Sequence, residues 1–276
     1  MFGVGVGVRV GGFTASSGVA PYVGLLDTYP NASAAYSVRL LKSDYTGNAI
    51  RVRRSSDNTE SNIGFTALGN LDESALTTFC SGTNGFVTTW YDQSGNGINA
   101  TQTTAVNQPQ IVSSGSVITL NSKPSIQSPA LKVLTASNIS YNECFISVVF
   151  NRTGNSGGTD TLYAFDNSPY NQLFSASSNW SYYTGVTNNT TIPLSTSQKL
   201  ITQIDNGSDT LFYDNNTLDS TFAVSQNISS QTLNLLAYQT SYGSFGNMQE
   251  FILYSSSQST NRTGINTNIN TYYGIY

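Results

Sequence analysis

Fifteen acidic residues and no histidine define the chemistry open to this sequence. A Ser–His–Asp or Cys–His relay needs an imidazole, as does a histidine-ligated zinc or iron site, so both are excluded. Glycoside hydrolysis remains open, because two carboxyl groups suffice for it. Asp160 and Asp166 flank an apolar run, and Glu250 sits inside another, which makes Glu250 the best candidate for a buried acid. Asp205, Asp209, Asp214 and Asp219 fall in or near turn-rich stretches, where acids are ordinarily solvated. No spacing singles out a pair, and no catalytic residue is assigned.

The most distinctive stretch is Trp90-Tyr91-Asp92-Gln93-Ser94-Gly95-Asn96-Gly97. A β run ends in aromatics and turns sharply. Asp92 and Asn96 can satisfy turn N–H groups, and Gly95 and Gly97 tolerate unusual φ values. The first reading is a structural turn. A sugar-facing loop is a second. A calcium loop is a third, although its twelfth position is Thr103 rather than a bidentate Glu. Aromatics at Trp180, Tyr182 and Tyr183 suit either core packing or stacking on a sugar ring. Trp180 and Tyr182 share one strand face and Tyr183 takes the other, so at least one of them is expected at the surface. Carbohydrate contacts are therefore sought at Trp90, Asp92, Gln93, Asn96, Trp180 and Tyr182. Arg51, Arg53 and Arg54 lie close to Asp57 and Glu60. They read as a salt-bridged edge strand, with an anion contact as the alternative. Cys144 reads as a small buried hydrophobe, and a bridge to Cys80 stays open. No metal or organic cofactor is implied.

Composition narrows the class of protein. The chain has 276 residues, only 9% of them charged, with 39 Ser, 33 Thr and 29 Asn. Hydrophobic residues make up 38% and aromatics 12%, which is too apolar for a disordered chain. The net charge of −4 argues against a nucleic-acid partner. No apolar run approaches the roughly 20 residues of a membrane helix, so no membrane insertion is expected. Met1-Phe2-Gly3 leads directly into Gly-Val alternation, without the basic and apolar regions of a secretory leader.

The elements that must position these residues are mostly strands. Predicted strands cover 49–53, 86–91, 117–120, 144–150, 161–165, 180–183, 200–204, 210–213, 232–237 and 248–254, all rich in Val, Ile, Thr, Tyr and Phe. Asn215-Asn216 suits a tight hairpin. Short helices are expected over 34–41, over 72–80 with acids in the first turn, and near the C-terminus, where Ile265, Ile269 and Tyr272 form a stripe. The expected fold is all-β: an antiparallel two-sheet sandwich over residues 27–276, with an N-terminal arm at 1–26. In that arm Val4, Val6, Val8 and Val10 alternate with Gly, and Phe13 follows. The arm reads either as a flexible lead or as a strand that anchors the chain in an assembly.

Two stretches carry a resemblance. Tyr36-Ser37-Val38-Arg39-Leu40-Leu41, Tyr45 through Asp57, Thr78-Phe79-Cys80 and Thr88 through Gly97 resemble the N-terminal part of the arabinofuranosidase B catalytic domain. The tail, Gly246 through Tyr254 followed by a short helix, resembles concanavalin A-like (laminin-G-like) jelly rolls. Both imply the same two-sheet jelly roll. The enzyme family uses two carboxylates in its second half. At Asn171-Gln172-Leu173-Phe174 and at Ala237-Tyr238-Gln239-Thr240-Ser241, where these are sought, this sequence has none. Front halves of this kind are also familiar among structural genes of tailed phages. The resemblance thus implies a non-enzymatic structural protein of a phage virion, a tail fibre or capsid decoration. It would be held by its arm to other virion proteins, form a homo-oligomer and bind a host-surface glycan. The alternatives are an arabinofuranosidase-type glycoside hydrolase and a free carbohydrate-binding module.

Overall fold

Val, Ile, Phe and Cys crowd the strand Cys144–Arg152, and its first eight residues are all buried. Such a run has to be covered on both faces. It lies antiparallel between Lys199–Asp205 and Gly246–Tyr254, two strands that are themselves buried throughout. The C-terminal helix Arg262–Tyr273 covers one face of these three. Its Asn266 meets the Thr202 hydroxyl and its Tyr273 hydroxyl meets Glu250. The other face looks into the sandwich, where Phe251 packs edge-on against Tyr163, ring centroids 5.6 Å apart.

The computed structural model describes residues 21–129, 131–154, 159–166, 170–238, 242–243 and 246–276. From Gly246–Tyr254 the pairing runs through Ile126–Ser128, Gln110–Ser113 and Gly85–Trp90 to Ala100–Thr101. It continues through Leu134–Tyr141, Ile228–Leu235, Thr161–Phe165, Gln172–Ala176 and Asn179–Tyr183 to Thr187–Pro193. In the other direction Lys199–Asp205 leads to Thr210–Asp214 and Thr217–Phe222. One ribbon of 19 described strands thus folds over on itself. Its two ends meet where Thr191 donates to the Asp219 carboxylate from its N–H and its hydroxyl. The product is a mostly antiparallel, nearly closed sandwich with few helices. All-β architecture was the expectation, and at this level it holds.

Local signals explain several elements. Asp72 caps the helix Glu73–Phe79 by accepting the Ala75 N–H at 2.9 Å. Asn215 and Asn216 turn the Thr210–Asp214 hairpin with φ of 47° and 73°, a left-handed pair that Asn tolerates. The C-terminal helix buries Ile265 and Ile269 as its stripe predicts, with Tyr273 rather than Tyr272 as the third member.

Other expectations are corrected. The helix sought over 34–41 is a strand, Ala34–Ser37, paired with Leu253–Glu250 and buried at every position. Its neighbours decide its conformation, since a four-residue stretch has little helix propensity of its own. Arg51 and Arg53 do not lie on an edge: Ile50–Arg54 is flanked by both Glu60–Ile63 and Gly85–Trp90. Their ion pairs run sideways, Arg51 to Glu60 and Arg54 to Asp57. The Asp57 carboxyl is held well below the usual range by hydrogen bonds from Arg54 and the Thr59 N–H. Asp205, expected to be solvated, is fully buried. It accepts from the Gly207 and Gln226 N–H groups and the Ser225 hydroxyl. The arm residues Val4, Val6, Val8, Val10 and Phe13 lie outside the described residues. Leu25 and Leu26, in the short helix Leu25–Thr28, are already part of the core.

Candidate functional site

Most of the aromatic residues singled out for sugar contact are inside. Trp90 and Tyr182 have no exposed surface and Trp180 has 1%. Trp90 lies 5.9 Å from Tyr36, Trp180 stands edge-on to Phe150, and Tyr182 packs on Phe212. Side chains sealed in this way cannot stack on a ligand.

The Asp92 turn is structural in detail. Asp92 Oδ1 accepts the Ala35 and Ser94 N–H groups, each at 2.9 Å, and Oδ2 accepts the Ser94 hydroxyl and the Ile98 N–H. Gln93 accepts the Leu41 N–H and donates to the Ser37 and Arg39 carbonyls. Both residues are buried and tie the turn to the strand Ala34–Ser37. Among the described residues no cluster of three or more acids, cysteines or histidines stands ready for a metal. Asn96 alone of this group is exposed, its amide donating to the Ala32 and Ser33 carbonyls.

The neighbour of Tyr182 lies on the other face of the strand. Tyr183 points away from the core and joins Tyr170, 5.4 Å between centroids, and Phe174, edge-on at 6.2 Å. With Gln172, Thr187 and Tyr238 they line a cavity of about 380 Å³. This is the size of a small-ligand site, and its half-buried aromatic wall is of the kind that receives a sugar face. Strand alternation builds it. In Gln172–Ala176 the residues Leu173 and Ser175 turn inward while Gln172 and Phe174 turn outward. Each face of this five-residue strand mixes polar and apolar residues and it lacks Val and Ile, so the sequence carries little strand signal there.

Two carboxylates stand at the two ends of the adjoining strand Thr161–Phe165. Asp160 is fully buried and paired with Arg152 at 2.7 Å. Asp166 accepts from the Asn234 amide, and its main-chain carbonyl accepts the Tyr238 hydroxyl at 3.1 Å. Among the described residues Asp166 has no cationic partner. Six residues of extended chain separate the two by about 20 Å, too far to act together on one glycosidic bond. Glu250 is buried, as expected, but it lies under the C-terminal helix in an ion pair with Arg39. Cys80 and Cys144 are both free thiols.

Fold and pocket define a class: β-sandwich proteins with an aromatic ligand cavity on one sheet. Comparison with known proteins narrows it. A family model described as Alpha-L-arabinofuranosidase B, catalytic, matches residues 27–141. The α-L-arabinofuranosidases B of Aspergillus niger and Aspergillus kawachii are each 42% identical over 74 residues, 26% of this chain and 15% of theirs. The matched stretch is therefore a small part of those enzymes' length. Among solved structures, a GH54 α-L-arabinofuranosidase soaked with a cyclic sulfate inhibitor is similar with a TM-score of 0.66 at 20% identity. An arabinofuranosidase complexed with arabinofuranosyl-α-1,2-xylobiose follows at 0.64 and 20%. Each alignment covers 86% of this chain and 62% of the other. At that identity the likeness shows a shared fold.

These findings overturn the reading as a phage structural protein. The family match and the curated relatives named above are α-L-arabinofuranosidases B rather than tail fibres or capsid decorations. The non-enzymatic expectation falls with it, because the family match and the curated relatives are enzymes. The virion location falls as well, since the matched relatives are fungal enzymes.

Proposed function

We propose that this chain is a glycoside-hydrolase domain of the arabinofuranosidase type, taking an α-L-arabinofuranosyl unit into the cavity walled by Tyr170, Phe174 and Tyr183. The observation that carries the proposal is the family match through residues 27–141. The similar fold extends over 86% of the chain. The fold is further proposed to be a concanavalin A-like jelly roll, which fits the folded-over antiparallel ribbon.

Each part of the cavity has a role in this reading. The rings of Tyr183 and Tyr170 cover an apolar sugar face, and Gln172 supplies an amide to the ring hydroxyls. Asp166 is the proposed acid at the bond. It lies beside Tyr238 of the cavity wall, and no guanidinium or ammonium group among the described residues competes for its carboxylate.

The test is turnover of an aryl α-L-arabinofuranoside by the purified chain and by Asp166→Asn. Turnover by the parent that collapses in the variant, with sugar binding kept, is the expected result. A parent that binds the sugar without cleaving it overturns the hydrolytic reading. A variant as active as the parent removes Asp166 from the mechanism.

A further inference from the structure

A second pair of cavities lies beside the start of the strand Cys144–Arg152. One cavity of about 520 Å³ is lined by Asn31, Ser94, Asn96, Asn138 and Ser140, with Ser255 at its border. A second, of about 570 Å³, is lined by Asn142, Glu143, Asn227 and Ser229 and shares both Ser140 and Ser255 with the first. The two therefore adjoin across Ser140 and Ser255, and together they line a groove. The strand Cys144–Arg152 begins beside this groove at Glu143 and runs toward Thr159 of the aromatic cavity. The two sites are separated by buried side chains, where the Asn171 amide, between Tyr170 and Gln172 of the aromatic cavity, donates to the Tyr141 hydroxyl behind the groove.

The lining specifies a ligand chemistry. Its polar groups are almost all amides and hydroxyls, which both donate and accept, as sugar hydroxyls do. The charged exceptions sit apart. Lys42, in the first cavity, is paired with Asp44 at 3.0 Å, and Glu143 is in the second. No cationic track is present for a polyanion. Pro30 and Ile98 give the first cavity apolar surface for C–H faces.

Several of these amides are uncommitted. Asn31, Asn142 and Asn227 are exposed, and their side chains make no hydrogen bond to any described residue. The backbone is shaped to present others. The pairing of Leu134–Tyr141 with Ile228–Leu235 slips between Ala136 and Ile139 and again between Ile139 and Tyr141. Such bulges redirect side chains. Asn138, inside the first slip, has φ of 65°, and across from it Ser230 has φ of 50°.

We infer that this groove is a second carbohydrate site, distinct from the aromatic cavity, which holds an extended, uncharged polysaccharide chain. Its occupant is an internal stretch of polymer, because the groove is long, open and free of the charge that would select a terminal acid or phosphate. Binding there keeps the chain on its substrate and needs no chemistry at the groove itself.

The experiment measures binding of a soluble neutral arabinoxylan to the full chain, with polygalacturonate as a charged control. A Tyr183→Ala background removes the aromatic cavity from the measurement. In that background arabinoxylan binding persists. Ser255→Trp, which fills the junction of the two cavities, weakens it about tenfold. Asn142→Ala with Asn227→Ala, a change that leaves the fold untouched, weakens it in the same direction. The S255W single variant keeps the aryl-glycoside turnover of the parent. Loss of all polymer binding in Tyr183→Ala alone overturns the inference. So does binding that neither groove variant alters, or polygalacturonate bound as well as arabinoxylan. A chain without turnover that still shows this pattern fails the hydrolase reading and keeps the groove.

Discussion

Arg39 and Glu250 form a bidentate ion pair across 211 residues of sequence, Nε to Oε2 at 2.8 Å and Nη2 to Oε1 at 3.0 Å, with both side chains buried. The pair is fully dressed. Ser37 donates its hydroxyl to Oε2 at 2.7 Å, Tyr273 donates at 3.1 Å, and the guanidinium lies over the ring of Tyr272 at 5.0 Å. Burial works against the charge on Arg39, yet the Glu250 carboxylate outweighs it and holds the guanidinium protonated above its ordinary value. The pair clips the C-terminal helix to the strands Ala34–Ser37 and Gly246–Tyr254.

Removing one partner strands the other in the core. Glu250→Gln or Arg39→Met is expected to cost about 3–5 kcal/mol, while an apolar replacement of both together costs much less. Urea unfolding of the two single variants and the double variant checks this. A double-variant loss equal to the sum of the two single losses would show that the pair is not coupled.

Asp92 has the same kind of importance within one turn. It organises N–H groups from Ala35, Ser94 and Ile98, so Asp92→Ala leaves buried donors without a partner. A loss of about 2–4 kcal/mol is expected. Addition of calcium leaves the melting temperature of the parent unchanged, because the carboxylate oxygens are already occupied. A calcium-dependent rise would contradict that assignment.

The cysteines are predicted to be inert in the native state. Burial pushes the Cys144 thiol far up, and the Asp205 carboxylate adds to the shift. Burial also raises Cys80, with Arg54 working against it. Since the thiolate is the reactive form, a disulfide reagent at about pH 8 should label neither residue until the chain is unfolded. Prompt labelling of either cysteine in the folded protein would refute this.

Asp27 makes acid sensitivity specific. Burial alone would raise its carboxyl, but the Gly24 N–H at 2.7 Å and the Ser43 N–H and hydroxyl outweigh it and lower the value. A lowered folded value means that the contribution is present above the unfolded value of about 4 and is lost as pH falls through the folded one. The stability gap between the parent and Asp27→Asn should therefore be largest near neutrality and close in acid. A gap that stays constant down to about pH 2 would refute it.

Much of the fold was legible because it rests on local chemistry. Glu73–Phe79 begins where Asp72 can cap it, the Asn215-Asn216 turn needs residues that accept positive φ, and Cys144–Arg152 is too apolar to be anything but a covered strand. The buried state of Glu250 followed from the apolar run around it. The strands Gln172–Ala176 and Thr187–Pro193 carried weaker signals, since their residues include Gln, Asn, Ser and Thr and their stability comes from pairing with neighbours. Ala34–Ser37 shows the limit most plainly. Its composition suits a helix, and only the partner strand Gly246–Tyr254, more than 200 residues away, makes it extended.

By itself, then, the sequence determined the class of the protein: all-β, without imidazole chemistry, with a front region similar to arabinofuranosidase B. These properties depend on residue identity and short-range pattern. The tertiary structure decided which polar and aromatic groups reach solvent. Trp90, Trp180 and Tyr182 became core, while Tyr183 joined Tyr170 and Phe174 in a cavity, because strand pairing over long separations sets which face of each strand is covered. The same folding-over joined Asn31, Asn138, Asn142 and Asn227 into one groove, an arrangement that no spacing along the chain could announce.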